Sequence, residues 1–420
     1  MTTISPTVSG LGRDRLPGGF DPRQLRTQFP IFQNNPDLVF LDSAASAQKP
    51  RAVIDGITDY YRNDYANVHR GVYRLSGRST DLFEEAREKT RAFLNAADHR
   101  EIVYVRNTTE AINLVAFSWG GTFVHAGDEV LISDVEHHSN LVPWQMLCER
   151  TGARLVVAPT DATGEFDLAA FEALLSPRTR MVAVTHISNV TGAVLPVARI
   201  AELAHARGAK VLIDGSQAAP RLPLDMQALA CDFYAFTGHK VYGPTGIGVL
   251  YGRAELLAAM PPWQTGGGMI EQVEYAKTAF QEAPHRFEAG IPDIARAVGL
   301  GYALDFVEAL GRDNIRDHEQ ALTAYGVERL SRIPGLRLLA AGQRQLAVIS
   351  FNLDGVHPHD VGTVLDQHNV AVRVGHHCAQ PLMDKLGLAG TVRASLGVYN
   401  DERDIDQLVE AVAAAREMFR

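Results

Sequence analysis

The stretch DFYAFTGHKVYGPTGIGVLYG, residues 232–252, decides the fold. Its first part, Phe233 to Phe236, is a short apolar and aromatic run of the kind that forms a strand buried on both faces. Thr237-Gly238-His239-Lys240 follows directly, and Gly243, Gly246 and Gly248 then lead into a second apolar run. A lysine at a strand end, among small residues and beside a threonine and a histidine, is placed to be desolvated and to form a Schiff base. A solvated turn lysine is the plain alternative. The glycine spacing matches neither the P-loop nor the dinucleotide fingerprint, which argues against nucleotide binding.

The same punctuation recurs upstream. Ile102 to Val105, Val130 to Ser133, Leu155 to Ala158, Met181 to Thr185 and Val211 to Asp214 read as further buried strands. Asn140 to Arg150, Leu168 to Leu175 and Val197 to Arg207 have the spacing of helices that cover them. The alternation predicts an α/β domain with a mostly parallel sheet. Ligands of such sheets sit outside the carboxyl ends of the strands, so the residues just after each run are the informative ones.

Three more strand ends carry chemistry. Asn107-Thr108-Thr109-Glu110 presents hydroxyls and free N–H groups at a helix start, which suits a phosphate; an ordinary N-cap by Thr108 is the simpler reading. Asp214, with Gln217 three residues on, can keep a heteroaromatic nitrogen protonated or merely cap a turn. Glu136-His137-His138-Ser139-Asn140 suits a ring stacked on a flat cofactor better than a metal, because the H-E-x-x-H spacing is absent.

Beyond Gly266-Gly267-Gly268 and Gly290-Ile291-Pro292 the pattern changes. Two long helical stretches, Asp293 to Leu310 and Asn314 to Ile333, precede a strand at Leu346 to Asn352 and a helix near Asp360 to His368. Strands at Val370 to Val374 and Thr391 to Ser395 and a terminal helix from Asp401 complete a second, α+β unit. We divide the chain into an N-terminal segment, 1–35, packing on the smaller domain, a large α/β domain, 36–292, and a small domain, 293–420. The 420 residues, 46% hydrophobic, suffice for two cores.

A formal charge of -9 and the lack of any Lys/Arg run argue against nucleic acid or an anionic membrane as partner. With neither a signal peptide nor an apolar spanning run, a cytoplasmic location is expected. The cysteines, Cys148, Cys231 and Cys378, are too scattered for a disulfide framework or zinc knuckle. Cys148 and Cys231 sit in helical and strand contexts as small hydrophobes. Cys378 lies in the loop Gly375-His376-His377-Cys378-Ala379-Gln380-Pro381, next to imidazoles and near Arg373, which makes it the nucleophile candidate. His376, His377 and Cys378 cannot all face one metal ion from regular backbone, so no metal is expected. Arg393, in the last strand, offers a bidentate fork for a carboxylate, with a surface ion pair as the alternative.

Taken together, LDSAASAQKP (41–50), NVHRG (67–71), NTTEAINLVA (107–116), EHHSNLVPWQMLC (136–148), THISNVTG (185–192), IDGSQAAP (213–220), GHKVYGPTGIGVLYG (238–252), RFEAG (286–290) and RVGHHCAQPLM (373–383) resemble a known family. It is the class V aminotransferase-like, fold-type I pyridoxal-phosphate enzymes, and within them the group II (SUF-type, SufS-like) cysteine desulfurases. The resemblance implies that Lys240 carries pyridoxal 5'-phosphate, His137 stacks on its ring, Asp214 pairs with the ring nitrogen and Gln217 contacts the ring oxygen. Thr108, Thr109, Thr237 and His239 would hold the phosphate, and Asn189 and Arg393 the substrate carboxylate. His69, Arg70 and Arg373 would line the entrance, and Cys378 would take the sulfur of L-cysteine as a persulfide, releasing L-alanine. A homodimer, a SufE- or SufU-like acceptor protein and a role in iron-sulfur cluster assembly are further implications. Where such enzymes read Arg-Phe-Glu-Ala-Gly-Thr-Pro, this chain has Ile291, which cannot donate a hydrogen bond to the neighbouring subunit's phosphate.

Rival readings share parts of this site. A selenocysteine lyase acting on L-selenocysteine would not depend on Cys378. An aminotransferase or kynureninase-like enzyme would not need the loop from Gly375 to Ala379. A non-catalytic cofactor-binding regulator would make no alanine.

Overall fold

Strands that are apolar on both faces need cover on both, and the chain supplies it with helices. The computed structural model describes residues 21–161, 165–339 and 345–419, so most of the expected N-terminal segment, 1–20, lies outside the described residues. The large sheet has seven strands: β1 (Ile102–Val105), β2 (Glu129–Ser133), β3 (Arg154–Ala158), β4 (Thr179–Thr185), β5 (Lys210–Asp214), β6 (Phe233–Thr237) and β7 (Gly248–Gly252). They lie in the order β1-β7-β6-β5-β4-β2-β3, parallel except for β7, which runs antiparallel to both its neighbours. The second half of the opening stretch is therefore a hairpin return, not another crossover.

Among the helices, α1 (Arg51–Asn63) and α2 (Arg74–Leu94) precede the sheet, α3 (Thr108–Val115) follows β1, α4 (Val142–Thr151) follows β2 and α5 (Val197–His205) follows β4. Helix α6 (Ile294–Leu310) packs on α1 and α2. It buries residues around its whole circumference, as its uniformly apolar sequence requires. Helix α7 (Arg312–Ser331) leads into a four-stranded antiparallel sheet of β8 (Leu336–Leu338), β9 (Val348–Leu353), β10 (Arg373–Gly375) and β11 (Thr391–Ser395), in the order β8-β9-β11-β10. Helices α8 (Pro358–Gln367) and α9 (Glu402–Met418) cover it, and Asp401 caps α9 through a capping box.

The single strand expected at Val370 to Val374 is broken. Val370–Ala371 pairs in parallel with Val39–Phe40, while β10 pairs with β11, so the break lets the chain serve two sheets. The early chain is thereby tied to the late one: Arg23 meets Asp401 at 3.0 Å, and Phe29 packs edge-on against Tyr242, Phe306 and Tyr399. A buried pair, Arg221 and Glu319 at 2.8 Å, joins the segment after β5 to α7. With both charges out of water, removal of either partner would strand the other.

Candidate active site

At the carboxyl ends of the parallel strands a cavity of about 150 Å³ opens. It is lined by residues from the ends of β1, β2, β4, β5 and β6 together with Arg373 of β10 and Arg393 of β11. The location follows from the topology, since strand ends face outward where the sheet's crossovers leave a crevice.

One wall is made of hydroxyls. Asn107, not Thr108, is the N-cap of α3: its side chain accepts from the Glu110 N–H at 2.9 Å. That leaves the Thr108 and Thr109 hydroxyls for the cavity. The Ser216 hydroxyl donates to Thr108 Oγ1 at 2.8 Å, and the Thr109 and Ser139 hydroxyls are 2.7 Å apart. Thr237 and His239 line the same space. Burial lowers the pKa of His239 to about 4, with Lys240 and Lys49 adding to the effect, so its ring is neutral. Hydroxyls at a helix N-terminus make a dianion cradle.

Lys240 lines the same cavity. Burial brings its amine down to about 8; Asp214 opposes that shift, and Arg393, Arg221 and Arg373 reinforce it. Asp214 Oδ1 accepts from Ser216 N at 2.9 Å, which fixes the carboxylate's direction. Gln217 donates one amide hydrogen to Ala44 O at 2.8 Å, and its Oε1 lies 3.3 Å from Arg221 Nη1. His137 Nδ1 accepts from Ser139 N at 3.0 Å, so the proton of the neutral ring sits on Nε2. Burial, then Lys240, lowers its pKa to about 3. An amine near neutrality, a buried carboxylate, a flat neutral ring and a hydroxyl cradle in one crevice fit a phosphorylated pyridine aldehyde.

Arg373 and Arg393, which also line the cavity, face one another directly across the β10–β11 ladder. Arg393 is 1% exposed, which rules out the surface ion pair. Its Nη1 donates to Asn189 O at 2.9 Å and its Nη2 to Asp42 at 3.0 Å, while Nε is buried without a hydrogen-bond partner. An unpaired buried N–H beside the cavity is a place for an incoming acceptor. Asn189 Nδ2 donates to His377 O at 2.7 Å, so Asn189 also holds the cysteine loop. The half-buried Cys378 places Sγ 3.8 Å from Arg373 Nη2. Cys148 and Cys231 are buried, and burial raises their thiols to about 11 and 12. His377 is committed to Thr391, and among the described residues no cluster of ligands could hold a metal.

His69 and Arg70 lie elsewhere in this chain. With Gly267, His285 and Ile291 they line a second cavity of about 290 Å³ that shares no residue with the first. Sequence reasoning missed Ser139 and Ser216, each visible as a small polar residue beside a strand-end motif. It also missed Asp42 and Arg221, for which only the fold supplies the signal.

Residues 39–408 match the family described as "Aminotransferase class-V". The chain belongs to that family. Fold-type I architecture, with a large mixed sheet, accompanies the membership. Among relatives of this class-V chain, a protein of Dickeya dadantii named "Cysteine desulfurase" is 53% identical over 92% of the chain and 94% of its own length. Another of that name, from Synechococcus elongatus, is 50% identical over 98% of the chain, which spans only 66% of that longer relative. The crystal structure of the cysteine desulfurase CsdA from Escherichia coli superposes with a TM-score of 0.90 at 42% identity, covering 96% of this chain and all of its own.

Proposed function

We propose that this chain is a cysteine desulfurase that converts L-cysteine to L-alanine and keeps the sulfur as a persulfide on Cys378. The observation that carries the reading is Cys378 Sγ, 3.8 Å from Arg373, which lines one cavity with Lys240. The relatives' names supply the substrate class. Its cofactor is pyridoxal 5'-phosphate, which enzymes of the same fold carry. When bound, that group supplies a ring that accepts the electrons released at the substrate Cα.

The chain's residues do the rest. Thr108, Thr109, Thr237 and His239 hold the phosphate; Asp214 keeps the ring nitrogen protonated, Gln217 donates to the ring oxygen and His137 covers one face. Arg393, through its free Nε–H, and Arg373 orient the substrate carboxylate. Lys240, with its amine brought down to about 8, can shed and regain a proton near neutrality and so takes the Cα proton. The Cys378 thiolate attacks the substrate sulfur. A sulfur–sulfur bond forms, the Cβ–S bond breaks, and its electron pair stays on the carbon skeleton, which is protonated to give alanine. In this reading His137 serves as the proton shuttle of that step.

In this reading residues 36–292 form the cofactor-binding domain and 293–420 the domain that presents Cys378. The enzyme is a cytoplasmic homodimer that passes sulfur to a SufE- or SufU-like acceptor for iron-sulfur cluster assembly. Support for dimerisation comes from Ile291, 72% exposed beside the cavity of His69 and Arg70, a face that a second copy would cover. Cys378→Ala tests the central claim: the protein should keep its bound yellow cofactor and lose alanine formation from L-cysteine. Undiminished alanine would refute the role of Cys378. Activity of that variant confined to L-selenocysteine would assign the chain as a selenocysteine lyase instead.

A further inference from the structure

The backbone at the proposed sulfur-accepting residue is unusual. His377 and Cys378 have φ of 52° and 58°, two consecutive non-glycine residues in the left-handed region. L-residues stay there only where neighbouring contacts hold them. The ring of His377 is anchored on Thr391, at 2.8 Å from its hydroxyl, and the His377 carbonyl accepts from Asn189. Two further ties to the loop come from His138. The His138 N–H donates to Cys378 O at 2.7 Å, and His138 Nε2 accepts from the Gln380 N–H at 3.0 Å. His138 thus grips the loop at two points directly after the thiol-bearing residue, from the turn that also carries His137.

A backbone N–H can donate only to an unprotonated ring nitrogen. We propose that neutral His138 is the positioning residue that locks the Cys378 loop, and that its protonation releases the loop. The inference rests on the proposed role of Cys378 for its consequence, control of where the attacking thiol sits, but not for the lock itself. The titratable neighbours are the exposed His376 and Cys378 on the loop, and His137, whose ring centroid is 6.3 Å away. Neither histidine is an anion that would stabilise a cation, and the Cys378 sulfur faces Arg373. Burial first, then His376, lowers the pKa of His138 in the locked state below its ordinary value. The lock is therefore complete above about pH 6.5, the ordinary histidine value, and is lost as pH falls through the depressed one.

Amide hydrogen exchange of the segment 373–383 in the cofactor-loaded protein, corrected for intrinsic rates between about pH 5 and pH 8, reads the lock directly. Wild type should lose about fivefold in protection on acidification, the equilibrium weight of one backbone hydrogen bond. His138→Gln keeps an acceptor that does not titrate, and its protection should be flat across the range. His138→Ala should lack the fivefold at every pH and alkylate Cys378 faster at pH 8. Bound-cofactor absorbance reports that each variant is folded. A flat wild-type profile, a His138→Ala protein as protected as wild type, or a His138→Gln protein that still loses protection in acid would overturn the proposal. Because the readout is loop protection, it stands or falls separately from alanine formation in Cys378→Ala.

Discussion

Gly248 opens β7, flanked by Val105 of β1 and Thr237 of β6. A Cβ at this position would lie 2.6 Å from Asn107 Cα, 2.8 Å from its carbonyl carbon and 3.0 Å from its nitrogen. All three are backbone atoms, so no side chain can swing away. Ordinary contact begins at 3.4 Å, and Gly248→Ala therefore forces Asn107 back by 3.4 − 2.6 = 0.8 Å. Asn107 caps α3, and Thr108 and Thr109 follow it directly, so the displacement is delivered to the proposed phosphate cradle. Overpacking of this kind costs about 1–3 kcal/mol. Part is relieved when the start of α3 retreats, and that part must be restored when the phosphate draws the helix back. At about 1.4 kcal/mol per factor of ten, cofactor affinity should fall by roughly tenfold, and by a hundredfold at the upper bound. Equilibrium dialysis of pyridoxal 5'-phosphate and the thermal midpoint of the loaded protein measure the two parts. Gly77→Ala is the control: it lies inside α2 with nothing within 4 Å of the added carbon, and should gain about 0.5–1 kcal/mol with no change in cofactor affinity. A Gly248→Ala protein with a lowered midpoint and wild-type cofactor affinity would refute the placement of the phosphate at α3.

Two further outcomes follow from single side chains. Glu136 is buried and accepts from Ser133 Oγ, from Asn140 at 2.7 Å and from Thr185 N at 2.9 Å, yet burial still pushes its pKa up to about 8. A carboxyl whose folded pKa is raised contributes stability at low pH that is lost as pH climbs toward that value. Relative to Glu136→Gln, wild type should therefore lose about 1 kcal/mol per pH unit between pH 6 and pH 8, read from thermal midpoints; parallel curves would contradict this. Ile291→Thr restores a hydroxyl donor on the face that a second copy would cover, and a hydrogen bond to a charged phosphate should slow cofactor loss by about tenfold. Equal or faster loss from the variant counts against it.

The residues legible in the sequence are those whose position follows from one strand and its end. Lys240, Asp214 and His137 each come just after an apolar run, and a parallel sheet converts that position into a place in the crevice. The antiparallel turn of β7 was not legible, because a buried strand reads as apolar in either direction. Asn107 outcompetes Thr108 as cap although both are competent, a choice made by where β1 ends. Nothing local marks Asp42, which reaches Arg393 across 351 positions of chain. Arg373 and Arg393 could each be read as strand residues, but their meeting depends on the register of β10 on β11. Like charges opposed on a ladder repel. Asp42 offsets only part of the charge, since a single carboxylate serves two guanidinium groups and burial raises its own pKa against the pull of Arg393. The site therefore carries an uncompensated positive charge and an idle buried N–H beside Lys240, and on the proposed reading a substrate carboxylate would relieve both.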